Sequence, residues 1–221
     1  MTVTTHTHDD PRERKLPGRP REGWPVGTRL LQLLAGLILF GTSLALMVRS
    51  GLGLDPWDVF HQGLARQTGL PIGTITILAG AIVLLLWVPL RQRPGIGTVA
   101  NVIVVGLSLD GVLAIVPAPG DLGVRWLLLV GGIVLNGIAT GAYIGAGLGP
   151  GPRDGLMVGL ARRGHPIRVV RTLIEVSVLV TGYLMGGTVG VGTVLYAVSI
   201  GPLAHVTIPA LSRGRVGGGH P

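Results

Sequence analysis

A carboxylate and two guanidiniums stand at helical spacing in the stretch VRTLIE and just before it: Glu175 follows Arg171 by four residues and Arg168 by seven. Those spacings put all three on one helix face. An ionised side chain at the centre of a membrane helix costs about 2.5–3.5 kcal/mol even on permissive insertion scales, so such a stripe must be paired or must work. Two chemistries fit it, a structural ion pair and a site that binds an anion or couples to protons. A second set of residues is spread over two look-alike stretches. Gly51 to Gly69 reads GLGLDPWDVFHQGLARQTG, and Gly147 to His165 reads GLGPGPRDGLMVGLARRGH. Each has glycines, then a proline suited to a first helical turn, then an aspartate (Asp58, Asp154) where the helix dipole favours negative charge. Trp57 and Arg153 immediately precede those aspartates. Two such helix starts can bind an anionic group between them, or they can be plain capped ends, the first anchored by Trp57 at the lipid–water interface.

Other polar residues carry less. Asp110 lies near the end of an apolar run, and its position suits the headgroup region better than a titrating site. Asn101 and Asn136 read as interhelical hydrogen-bonding residues, and His205 stands alone. Neither H-E-x-x-H nor G-x-S-x-G occurs. No aspartate follows Asp154, so DGLMVGLAR cannot supply a two-metal carboxylate site. The absence of cysteine excludes disulfides, thiolate ligands and thiol nucleophiles. The expectation is a protein without catalytic residues, metal or cofactor.

The elements that position these residues are set by uncharged runs. Of 221 residues 48% are apolar and only 13% charged, with mean hydropathy +0.61, which argues against a water-soluble domain. Uncharged stretches of 19, 24 and 27 residues separate Arg29 from Arg49, Arg66 from Arg91 and Arg125 from Arg153. Each can cross ~30 Å of hydrocarbon, which takes ~20 residues. A fourth apolar run ends beyond Asp110, and the 37 uncharged residues after Glu175 hold the end of one span and a whole further one. The runs predict an all-α integral membrane protein with six helices near 29–49, 70–90, 96–116, 125–146, 167–186 and 191–210. Strands of ~10 residues with alternating polarity, as a barrel needs, are not found. Residues 1–28 carry no apolar face and read as a disordered tail, 117–124 as an external loop and 211–221 as a C-terminal tail.

Charge placement gives direction. With the N-terminus cytoplasmic, fifteen of the eighteen basic residues fall inside and only Arg49, Arg66 and Arg125 outside. Both termini are then cytoplasmic, and the net charge of +8 belongs to a surface facing anionic lipid, with no need for nucleic acid.

Nine of the 19 positions in the two look-alike stretches are identical at an offset of 96, and GIGT at Gly95 recurs as GVGT at Gly190. The chain therefore divides into membrane repeats 29–116 and 125–210, each one helix, the motif and two more helices. An odd number of crossings per repeat inverts the second copy, as in many secondary transporters. The motifs, 56–67 and 152–164, are short for a crossing and read as re-entrant or interfacial helices.

The stretches GLGLDPWDVFHQGL, RPGIGT, the Asp110 helix, IGAGLGPGPRDGL, VRTLIE and GVGTVLYAVSIGPL together resemble the YczE/YyaS/YitT family of bacterial membrane proteins, over residues 30 to 210. The longer polar N-terminal tail is the one departure. The resemblance implies a multi-pass protein of the bacterial plasma membrane and supplies no substrate. Three functions stay open. The repeat favours a small secondary permease or channel, with Glu175, Arg171, Arg153, Asp154, Asp58, Trp57 and Asp110 along the route of an unidentified small solute, an anion among the expectations. A membrane ligand-capture subunit and a non-transporting regulatory or assembly factor are the alternatives. Small-residue faces such as Gly137 to Gly141 suit packing within one chain or in a homodimer.

Overall fold

The computed structural model of the chain describes residues 25–212, and the helices there follow the apolar runs closely. They are α1 (Val26–Ser50), α2 (Pro56–Thr68), α3 (Ile72–Trp87), α4 (Ile96–Ile115), α5 (Leu122–Gly145), α6 (Pro152–Ala161), α7 (Ile167–Leu184) and α8 (Val191–Leu211). The expected tails lie mostly outside the described residues, but Val26 to Thr28, assigned above to the N-terminal tail, already belong to α1, and Leu211, assigned to the C-terminal tail, ends α8 with Ser212 as its C-cap. Four helices, α1, α4, α5 and α8, are long and apolar enough to cross a membrane. α2 and α3 meet that test only as a pair, and they are bent by 114°. α3 has 16 residues because Pro71 precedes its first turn and the chain leaves the helix at Trp87, so the run expected over 70–90 is shorter. α7 has 18 residues and carries Arg168, Arg171 and Glu175. The molecule is an all-α multi-pass membrane bundle of four spans, five when the bent pair counts as one.

α1 and α5 form its axis and run antiparallel. Arg29, near the start of α1, donates to the carbonyls of Ala146 (2.8 Å) and Gly147 (2.8 Å) just past the end of α5. Arg125, near the start of α5, donates to Ser50 (2.7 Å) and Gly51 (3.1 Å) at the end of α1. Both arginines thus satisfy the carbonyls that a helix leaves unpaired at its C-terminus. All three positions differ by 96, the offset of the sequence repeat. The bundle therefore has an Arg29 end and an Arg125 end.

The repeated glycine motifs are each other's partners. Gly97 N–H donates to Leu148 O (3.0 Å), and Gly192 N–H donates to Leu52 O (2.8 Å), so the GIGT turn of each half holds the GLG loop of the other. Gly53 (φ 124°) and Gly149 (φ 133°) adopt backbone that L side chains rarely take. A Cβ on Gly53 would also lie 2.8 Å from the amides of Gly190 and Thr193.

Residues 51–55 are non-helical, and from Gly53 to Asp55 they are buried in protein rather than offered to lipid, the setting in which such backbone is tolerated at membrane depth. α1 spans about 37 Å at 1.5 Å per residue, so Gly51 and Gly147 sit at opposite ends. Yet Trp57 and Arg153, six residues further on, touch: the guanidinium carbon lies 5.0 Å from the indole centroid. Six extended residues reach about 20 Å, so each loop dives to the middle before its short helix begins. Trp57 is buried there in protein, in keeping with two facing helix starts rather than with an end anchored at the lipid–water interface. α2 packs along α7 and α6 against α3, so the halves exchange their short helices.

The halves differ in one respect. α3 packs along α4, where a Cβ on Gly106 would meet Gly73 O at 2.5 Å. Asp110 fastens this contact by accepting from Gly73 N (2.6 Å), Thr74 N (2.9 Å) and Thr74 Oγ1 (3.2 Å), the free donors of the first turn of α3. α7 and α8 scarcely touch. Gly201, the counterpart of Gly106, has open space beside it, and Arg168 stands where α3 has Gly73.

Candidate functional site

Between the splayed α7 and α8 lies a cleft of about 800 Å³ that reaches to the meeting point of the short helices. Asp55, Trp57 and His61 of the first half, Arg153 and Asp154 of the second, and Tyr143, Tyr196, Arg171 and Glu175 around them face it.

The centre is built by helix starts. Asp55 is the N-cap of α2: its Oδ1 accepts from Asp58 N at 2.8 Å, and Pro56 takes the first helical position, where no amide is needed. One turn on, the ring of His61 contacts Asp58 Oδ1 (3.1 Å) and Thr76 Oγ1 of α3 (3.3 Å). From the other half Arg153 reaches over the Trp57 face with Nη1 3.8 Å from Asp55 Oδ2 and Nη2 3.6 Å from Asp58 Oδ1. These are ion pairs without hydrogen bonds. Asp55 Oδ2, Asp58 Oδ2 and Trp57 Nε1 are buried with no hydrogen-bond partner. Such groups cost roughly 1–3 kcal/mol each, more when charged. Asp154 is tied more weakly, to Tyr143 Oη at 3.5 Å. Behind it, Trp87 Nε1 donates to Pro152 O (3.1 Å), fixing the start of α6 on α3.

The rim is Arg171 Nε and Glu175 Oε1, 2.9 Å apart. Their side chains are 60% and 35% exposed, which places Glu175 at the mouth rather than the centre. Arg168 is exposed and shares no ion pair among the described residues. Asn136 behaves as expected, donating to Ser43 Oγ (2.9 Å) and accepting from Tyr196 Oη (3.2 Å), which links α5 to α1 and α8.

Of the residues expected from sequence, Asp58, Trp57, Arg153 and Asp154 meet at the centre and Arg171 and Glu175 at the rim, while Asp110 is outside the cleft, fastening α3 to α4. Three donors at the start of α3 hold it there, a structural role the sequence did not suggest. Sequence reasoning passed over Asp55, His61, Tyr143 and Tyr196. An aspartate directly before a proline is an N-cap signal that marks Asp55, but its counterpart is Gly151, so the repeat does not show it.

The family model described as a family of unknown function, DUF6198, matches residues 27–209. The chain belongs to this family. Its relatives include an uncharacterized protein of Haemophilus influenzae, 44% identical over 182 residues, 82% of this chain and 84% of the relative. The uncharacterized membrane protein YczE of Bacillus subtilis is 35% identical, over 79% of this chain and 83% of its own. YyaS of the same organism is 29% identical over 80% and 91%. No solved structure matches. The DUF6198 match covers all eight helices but for the first residue of α1 and the last two of α8, and so takes in the whole cleft. The resemblance to the YczE/YyaS proteins holds, and the chain is a multi-pass protein of the bacterial plasma membrane.

Proposed function

We propose that this DUF6198 protein is a secondary permease of two inverted-topology repeats, with six crossings and two re-entrant helices, whose solute route is the α7/α8 cleft. One observation carries the reading: the short helices begin face to face inside the bundle, in a cleft open between α7 and α8 and shut between their counterparts α3 and α4. Discontinuous helices meeting at the membrane midplane between repeats are a recurrent transporter construction. The reciprocal Arg29 and Arg125 contacts support the inversion, since they require equivalent helices to run in opposite directions. With the Arg29 end cytoplasmic, as the basic residues favour, the cleft faces inward and Asp110 closes the outer side.

The lack of cysteine makes the test direct. Ala204→Cys on α8 should react with a membrane-impermeant maleimide in inside-out vesicles and not in intact cells. Leu109→Cys, its counterpart on α4, should resist from both sides, since Leu109 is fully buried. Equal reactivity of the two, or labelling of Ala204→Cys from outside, rejects the one-sided cleft and with it the permease. One-sided labelling with no flux of any solute in proteoliposomes would favour a capture subunit or regulator.

A further inference from the structure

We propose that the cleft takes a small organic cation, an amine with an apolar body, seated at Asp55. The inference deepens the permease reading and rests on it only for the passage of the solute, since the binding site stands without flux.

Charge is the first ground. Four carboxylates, Asp55, Asp58, Asp154 and Glu175, share the cleft and its floor with two guanidiniums, Arg153 and Arg171. Counted as ionised, with His61 neutral, they leave two negative charges in surroundings of low dielectric, where a net excess of one sign concentrates counter-ions. The anion expected from two facing helix starts is disfavoured, because both starts already hold their own carboxylates: Asp55 and Asp58 on α2, Asp154 on α6. Arg171 is committed to Glu175.

Unpaired acceptors are the second ground. Asp55 is 2% exposed, lines the cleft and has Oδ2 without a donor; Asp58 Oδ2 is orphaned behind it. Arg153, drawn over the Trp57 face, stays beyond hydrogen-bond distance of both. An ammonium brings three donors and no acceptor, which is what these oxygens lack. The third ground is the apolar part of the lining, where Ala197, Ile200 and Ala204 of α8, between Tyr196 and His205, offer room for an apolar body.

Phenethylamine, phenylalanine and phenylacetate share one ring and differ in charge, and calorimetric titration of the full chain in lipid nanodiscs separates them. Phenethylamine should bind at least tenfold tighter than phenylacetate, with phenylalanine between. Asp55→Asn should weaken phenethylamine at least tenfold and leave phenylacetate binding no weaker, in a chain that still folds, since asparagine caps a helix as well as aspartate does and Asp58 stays to face Arg153. Wild-type protein gives a second readout that needs no variant: phenethylamine, and not phenylacetate, should protect Asp55 from an apolar carbodiimide, read by mass spectrometry. Phenylacetate binding as tightly as the amine, no amine binding, or unprotected Asp55 overturns the proposal. Amine binding without uptake into proteoliposomes removes the permease and leaves this site; uptake of another solute without amine binding does the reverse.

Discussion

Arg153 is the residue on which the centre depends, because among the described residues it is the arginine paired with Asp55 and Asp58. Removing one member of a buried ion cluster typically costs about 3–5 kcal/mol, since the partner charges stay buried without compensation. Arg153→Met should therefore lower the unfolding temperature in detergent strongly, and adding Asp58→Asn should recover part of the loss. Glu175→Gln is expected to cost less than about 1 kcal/mol, because Arg171 is mostly exposed and such pairs contribute little. A large loss of stability in Glu175→Gln would mean that the cleft is closed around this pair in solution. The residue scale is also where the sequence was least legible. Charges in apolar runs announce themselves, which is why Glu175 stood out, yet the geometry puts it at the rim. Asp55 and His61 sit in a polar stretch where such residues are unremarkable, and only the fold shows that the stretch is buried.

Among elements, the long helices were readable to within a few residues because run length and bilayer thickness leave little choice. The short helices were placed nearly as well, 56–67 against Pro56–Thr68 and 152–164 against Pro152–Ala161, but not their setting, since a 12-residue segment fits an interface as well as a re-entrant loop. Their burial comes from contact with the other half, as between Trp57 and Arg153, and no local pattern encodes that contact. Gly53→Ala combines an unfavourable φ with the approach to Gly190 and Thr193, so it should destabilise by roughly 1–3 kcal/mol or more. Gly149→Ala should behave alike, because Thr98 Oγ1 would lie 2.8 Å from the new Cβ. Thermal unfolding of the pair checks whether the two loops are equivalent. Asp110→Ala frees the first turn of α3 and should raise the maleimide reactivity of Leu109→Cys.

For the whole molecule, near-symmetry with one broken contact is the informative state. If the halves interconvert, closing α7 on α8 must bring the first half of α7 to Gly201, where Arg168 replaces the glycine that lets α3 approach Gly106. A tight seal of the α3/α4 kind is not available there. Arg168→Gly should shift the population toward the form shut on that side, measured as slower labelling of Ala204→Cys.

The exchanged glycine loops also fix an order of assembly. During synthesis α1 and the loop that follows it leave the ribosome long before Gly192, whose amide holds Leu52, so that loop stays unfastened until the last helix arrives. A chain cut before residue 190 keeps most of the cleft's charged residues and still should not mature, and proteases of the membrane should clear it. Supplying residues 117–221 as a separate polypeptide alongside 1–116 should restore it, because what the first half waits for is a partner surface rather than a covalent connection.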